Sequence, residues 1–111
     1  MKFKLAKKPV PTVTVAGEID IKNAGRIGAA IHEAVKAGQD IVLDFTDVTY
    51  LDSSGVNLIF TASRLNHVVS RRVFLLVKDK NVRRLLEIVG AAQLPNLTLD
   101  GHNGTPSRFS S

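Results

Sequence analysis

Residues 73–77 read Val-Phe-Leu-Leu-Val, an unbroken apolar run between Arg72 and Lys78. Side chains of a strand point alternately to its two faces, so a strand apolar at every position is one covered on both faces. Ile41-Val42-Leu43-Asp44-Phe45 is a second run of this kind. The segments around these runs change period. Over residues 21–37, Ala24, Ile27, Gly28, Ile31, Ala34 and Val35 recur at helical spacing, and Lys22, Arg26, Glu33 and Lys36 fall on the other side. Val56 to Val69 reads as a second helix, with Val56, Ile59, Phe60, Ser63 and Leu65 toward the core. Val82, Leu85, Leu86 and Val89 form the apolar stripe of a third. Buried strands alternating with amphipathic helices predict an α/β domain with a largely parallel sheet.

The ends complete the pattern. Phe3–Leu5 and Val10–Val15 read as two strands around a Lys7-Lys8-Pro9 turn, which makes the sheet mixed. Ala16 to Asp20 reads as a loop, with Asp20 as N-cap of the first helix. Gly25 and Gly28 weaken that helix and offer close packing on a sheet instead. Gly38 and Gly90 stop the first and third helices, and Asp79 caps the third. Leu97–Leu99 reads as a last strand. The order is β-β-α-β-α-β-α-β in one domain over residues 1–100. Residues 101–111, rich in Gly, Ser, Asn, Pro and Thr, read as a disordered tail.

Composition narrows the chemistry. A chain of 111 residues without cysteine has no disulfide, thiolate metal site or cysteine nucleophile. His32, His67 and His102 lie apart, without ligand spacing, so no metal is expected. There is no phosphate-binding loop followed by lysine and no Gly-X-Ser-X-Gly elbow. No cofactor is implied, and the chain does not read as an enzyme. No apolar run approaches the roughly 20 residues that span a bilayer, and no secretory leader opens the chain, which fits a cytoplasmic protein. The net charge of +5 is dispersed. With few aromatics and no reading helix, it points to a solvated surface or an acidic protein partner, and direct nucleic-acid binding is not expected.

The chemistry-bearing feature is Tyr50-Leu51-Asp52-Ser53-Ser54-Gly55-Val56, where a strand hands over to a helix. Unpaired N–H groups and a positive local field meet there. Two compatible readings are open. In one, Asp52 or Ser53 caps the helix and Gly55 allows a turn, a close approach or an unusual backbone angle. In the other, an exposed serine hydroxyl is phosphorylated, at a place that suits a phosphate. Asp20 also follows a strand, so it and Asp52 can meet at one end of the sheet.

With these blocks in this order, the chain resembles the STAS domain family, in particular the bacterial anti-sigma factor antagonists. Gly17-Glu18-Ile19-Asp20 is similar to the family's Gly-Glu-Leu-Asp strand end. Ile41–Phe45 with Val48-Thr49-Tyr50-Leu51 resembles its central strand and approach loop. Asp52-Ser53-Ser54-Gly55-Val56 matches its phosphorylation motif, and Val82–Leu86 with Val89-Gly90 resembles its late helix. The resemblance covers about residues 10 to 100. It departs in two ways: family members often carry a glycine before the strand at 73–77, where this chain has Ser70-Arg71-Arg72, and many antagonists are acidic.

The resemblance implies a phosphorylation-switched binding module. Ser53 is then the acceptor, with Ser54 second, for a serine kinase that is itself the anti-sigma factor. The unphosphorylated form binds that kinase and frees the sigma factor, and a serine phosphatase reverses the modification. Asp20, Asp52, Ser53, Ser54, Gly55 and Asn57 form the partner-binding set, on a monomer or weak homodimer. The alternative it implies is an accessory STAS subunit of a transporter or signalling scaffold, without a phospho-switch.

Overall fold

The computed structural model describes residues 1–100, and the tail at 101–111 lies outside the described residues. The elements are β1 (Lys2–Ala6), β2 (Thr12–Ile19), α1 (Ala24–Val35), β3 (Ile41–Leu51), α2 (Ser53–Val68), β4 (Val73–Val77), α3 (Lys80–Ile88), a 3-10 turn (Ala91–Gln93) and β5 (Leu97–Asp100). The sheet order is β1-β2-β3-β4-β5. β1 runs antiparallel to β2 and the other neighbours are parallel. This is the expected β-β-α-β-α-β-α-β order in a single mixed-sheet domain.

Each parallel step crosses to the adjacent strand in the same direction. Right-handed crossovers then place every helix on one face of the sheet. The main core shows this arrangement. Ile27 and Ile31 of α1, Ile59 and Ala62 of α2, and Val82 and Leu86 of α3 pack with Val13, Val15, Leu43, Phe45, Leu75 and Val77 from the strands. A smaller cluster of Val42, Phe74 and Leu76 occupies the opposite face. The two-sided burial of β4 is therefore real, but it comes from two unequal layers.

Two strands outrun their expected limits. Residues 16–19, read as a loop, continue β2, and β3 runs on from Phe45 to Leu51 beside them. Gly17 has φ +96° and register shifts flank it. Such bulges break the period-two pattern while the pairing continues. Gly28 does pack closely, but on a helix: a Cβ there would lie 3.2 Å from Leu58 of α2. Gly25 has nothing within 4 Å of that position. Gly38 and Gly90 adopt φ +66° and +82°, and Asp79 accepts from the N–H groups of Asn81 and Val82, so these helix signals hold.

At the amino end of the parallel strands, polar side chains fasten α2 to the sheet. Asn66, fully buried, donates through Nδ2 to the carbonyls of Gln39 and Arg72, both at 3.1 Å. Asn96 donates to the carbonyls of Ser63 at 2.8 Å and Arg71 at 2.9 Å, and accepts from Ser63 Oγ. After α2 the chain turns through Ser70 at φ +59°. This is a conformation that glycine adopts without strain and serine does not. Ser70→Gly is expected to raise stability by roughly 0.5–1 kcal/mol, the relief of strain offset in part by a freer unfolded chain. An unchanged urea midpoint would show that the turn holds Ser70 without strain.

Candidate functional site

The register Ile19↔Leu51 brings the carboxyl ends of β2 and β3 side by side, and Asp20 and Asp52 are the next residues of each strand. The N–H of Asp52 reaches across to the carbonyl of Ile19 at 3.3 Å. The sequence motif therefore meets the end of β2 at one corner of the molecule, as the two-strand reading requires.

Asp20 is not the N-cap of α1. That position belongs to Asn23, which makes no side-chain capping bond. Asp20 Oδ1 instead accepts from the N–H groups of Lys22 and Asn23, and its own N–H donates to Asn23 Oδ1. Its short side chain closes the turn before the helix, the local competition with helix that Asp and Asn favour. α1 accordingly starts at Ala24 rather than at residue 21.

Asp52 does cap α2. Its backbone is extended and its Oδ1 accepts from the N–H of Ser54 at 2.9 Å and from Ser54 Oγ at 2.5 Å. The pKa of Asp52 is lowered, first by the Ser54 hydroxyl and then by the N–H groups of Ser54 and Gly55, against an opposing desolvation. The carboxylate thus stays ionised, as a cap on the positive end of a helix should. Asp20 and Asp52 are both engaged with backbone N–H groups, so each has a structural task.

The two serines differ. Ser53 is the first residue of α2 and is exposed. Ser54 is half-buried, with its hydroxyl given to Asp52. Gly55 is buried, and a Cβ on it would lie 2.8 Å from Leu51 Cβ and 3.3 Å from Ile19 Cγ2. Close approach, rather than an unusual backbone angle, is what glycine provides. It lets the first turn of α2 sit directly on the ends of β2 and β3. Asn57, four residues after Ser53, is one turn further along the helix and exposed. It borders a groove of about 220 Å³ between α1 and α2, with Gly28, His32 and Leu58.

Two residues outside the expected set join the surface. Ile21 is 80% exposed directly after Asp20, and Tyr50 is 50% exposed two residues before Asp52. Large apolar side chains left in water beside a polar corner are the usual material of a protein contact. Tyr50 borders a second groove, of about 200 Å³, with Leu51, Asn81 and Leu85. The sequence carried a faint signal for Ile21, an apolar residue inside the turn that separates β2 from α1. Among the described residues there is no cluster of three side chains able to hold a metal ion, and no helix is long and apolar enough to cross a membrane.

Against known families, the model of the STAS domain matches residues 4–103. The chain belongs to the STAS domain family. Solved structures agree on the fold. The unphosphorylated form of the anti-sigma factor antagonist SpoIIAA superposes with TM-score 0.76 at 23% identity, covering 92% of this chain and 89% of that one. The phosphorylated form of SpoIIAA, a Bacillus cell fate determinant, gives 0.72 at 24% identity, covering 92% of each. An anti-sigma factor antagonist from Mycobacterium paratuberculosis gives 0.73 at 20% identity, covering 87% of this chain and 84% of that one. A comparison with curated proteins gave no match. The bulged β2 end and the capped start of α2 are thus the local form that this STAS domain gives to its Asp-Ser-Ser-Gly corner.

Proposed function

We propose that this STAS domain is an anti-sigma factor antagonist, a cytoplasmic binding module switched by phosphorylation of Ser53. The observation that carries the reading is the division of labour at the start of α2: Ser53 is exposed, while the Ser54 hydroxyl is committed to the Asp52 cap. A kinase can reach the first hydroxyl without dismantling the helix start. The partner is an anti-sigma factor with serine kinase activity, and likeness to solved anti-sigma factor antagonists supports the anti-sigma factor part of that reading.

The switch then follows from charge. A phosphoserine carries about −1.5 to −2 charges at neutral pH. The amino end of α2 accommodates it, with an interaction of about 0.3–1 kcal/mol, so the fold is left intact. The partner surface is built for a neutral hydroxyl, flanked by Ile21 and Tyr50. Burying a dianion there, next to Asp20 and Asp52, costs several kcal/mol of lost hydration, on the order of the penalties for unpaired buried charge. Each 1.4 kcal/mol is about a tenfold loss of affinity.

The test is intact-mass analysis of the chain from its native host, with the phosphatase inhibited and the site mapped by fragmentation. One phosphate on Ser53 is expected, absent from Ser53→Ala, which still binds the kinase. Ser53→Asp should bind at least about tenfold more weakly with an unchanged unfolding midpoint. A chain that stays unmodified through growth and stress would point instead to an accessory subunit of a transporter or signalling scaffold.

A further inference from the structure

Cations dispersed along the sequence gather at one end of the fold. β3, β4 and β5 start side by side, since Ile41 pairs with Val73 and Val73 with Leu97. β1 ends beside them, because Ala6 pairs with Thr12 at the start of β2. Each helix returns the chain to this same end, where the next parallel strand begins. Lys7, Lys8, Lys36, Arg64, Arg71 and Arg72 belong here, against the acids Glu33, Asp40 and Glu87. Each acid is engaged: Glu33 with Lys36, Glu87 with Arg83, and Asp40 with the N–H of Arg72. A helix dipole calls for a cation in the last turn, but Lys7, Lys8 and Arg71 lie outside every helix.

One part of this basic end is also apolar. After α2 the chain turns, and the N–H of Arg71 donates back to the carbonyl of Asn66 at 2.8 Å. Asn96 donates to the carbonyl of Arg71, which holds the loop before β5 against the same turn. A groove of about 260 Å³ lies between α2 and that loop, lined by Phe60, Leu94 and Pro95 together with Arg64 and His67. No acid lines it. Val68 and Val69 follow His67 and are 79% and 49% exposed. Neither Arg64 nor Arg71 forms an ion pair among the described residues. Exposed valines beside an apolar groove are the material of a protein contact, and the unpaired arginines set the charge of what fits it.

We propose that this groove is a second docking site, for an acidic segment of a partner protein that carries one apolar side chain among its carboxylates. The apolar side chain enters the groove against Phe60 and Leu94, and the carboxylates meet Arg64 and Arg71. α2 has 16 residues, so about 24 Å separate this site from Ser53 at the other end of the helix. That is about three Debye lengths at physiological salt, so the site works in either state of Ser53. A second copy of the chain fits less well, because no two acids are adjacent anywhere in the sequence. A nucleic acid fits less well too. Single strands need exposed aromatic platforms, and the exposed aromatic among the described residues, Tyr50, stands at the other end.

The probe is the peptide Asp-Glu-Asp-Leu-Asp-Glu-Asp, titrated into the isotope-labelled full chain. The amide signals of His67, Val69, Arg71 and Leu94 should shift, and those of Ser53 and Asn57 should stay. Shifts confined to the Ser53 end, or no shifts, would overturn the proposal. Arg64→Ala with Arg71→Ala should bind the peptide about three- to tenfold more weakly, the effect of two exposed charge pairs. Arg26→Ala with Lys80→Ala removes the same charge elsewhere and should bind as the parent does. An equal loss in both variants would show attraction to net charge alone and overturn the proposal. Exchanging the leucine of the peptide for glycine should weaken binding, and equal binding would mean that the groove takes no side chain. An oligothymidylate of equal length, or phosphatidylserine vesicles, shifting the same amides at lower concentration would also overturn it.

Discussion

Asn96→Ala is expected to destabilise the domain by about 2–4 kcal/mol, because a buried donor or acceptor left without a partner costs about 1–3 kcal/mol. The amide satisfies three groups at once: the hydroxyl of Ser63, the carbonyl of Ser63 and the carbonyl of Arg71. Ser63 and Asn96 are 3% and 5% exposed, so water does not readily replace the lost bonds. A domain of this length has only about 5–15 kcal/mol in all, and each kcal/mol moves the melting midpoint by about 4–8 °C in a domain near 100 residues. The effect is therefore visible in a single urea or thermal curve. Ser63→Ala removes the hydroxyl alone and should cost less. The double variant should fall short of the sum, since the two side chains share one bond. Strict additivity, or an unchanged midpoint, would mean that Asn96 is not the fastener between α2 and the start of β5. Asn96→Asp should not rescue, because a carboxylate cannot donate to two carbonyls.

This fastener was not legible in the sequence, and the reason is physical. Asn66 and Asn96 are polar residues thirty positions apart, and nothing in a periodic pattern tells a polar residue that satisfies buried carbonyls from one facing water. β4 was legible because five apolar residues in a row have one use in a mixed sheet, and its observed limits are Val73–Val77. The ends of β2 and β3 were hidden for the opposite reason. The bulge at Gly17 and the exposed Asp47, Thr49 and Tyr50 erase the alternation that marks a half-buried strand. The apolar rhythm puts the start of α2 three residues too late, at Val56, since Ser53 and Ser54 are poor helix formers. At the site, the motif named the right corner. It could not say that Asp20 closes a turn, that Ser54 is tied to Asp52, or that Ile21 and Tyr50 stand in water beside them. The first two are short-range bonds among several that a local pattern leaves open, and the third rests on the pairing of Ile19 with Leu51, which no local pattern encodes.

Gly55→Ala and Gly25→Ala form a matched pair that isolates that pairing. Both replace a helical glycine by the best helix former, a gain of roughly 0.5–1 kcal/mol where space allows. At Gly25 space allows, since no atom lies within 4 Å of the added Cβ, and stability should rise. At Gly55 the new Cβ meets Leu51 Cβ at 2.8 Å. That atom is fixed to the backbone and cannot swing aside, so the first turn of α2 must lift from the ends of β2 and β3. Overpacking of this kind costs about 1–3 kcal/mol, which exceeds the helix gain over most of its range and leaves a net loss of up to about 2 kcal/mol. The displacement also carries Ser53 and the Asp52 cap away from Asp20 and Ile21. Gly55→Ala should therefore bind the proposed kinase partner more weakly than its stability loss explains under conditions where both chains remain folded, while Gly25→Ala binds as the parent does. If Gly55→Ala loses stability and keeps its affinity, the partner does not read the geometry of this corner. If it loses neither, Leu51 yields more easily than its position at the end of β3 allows.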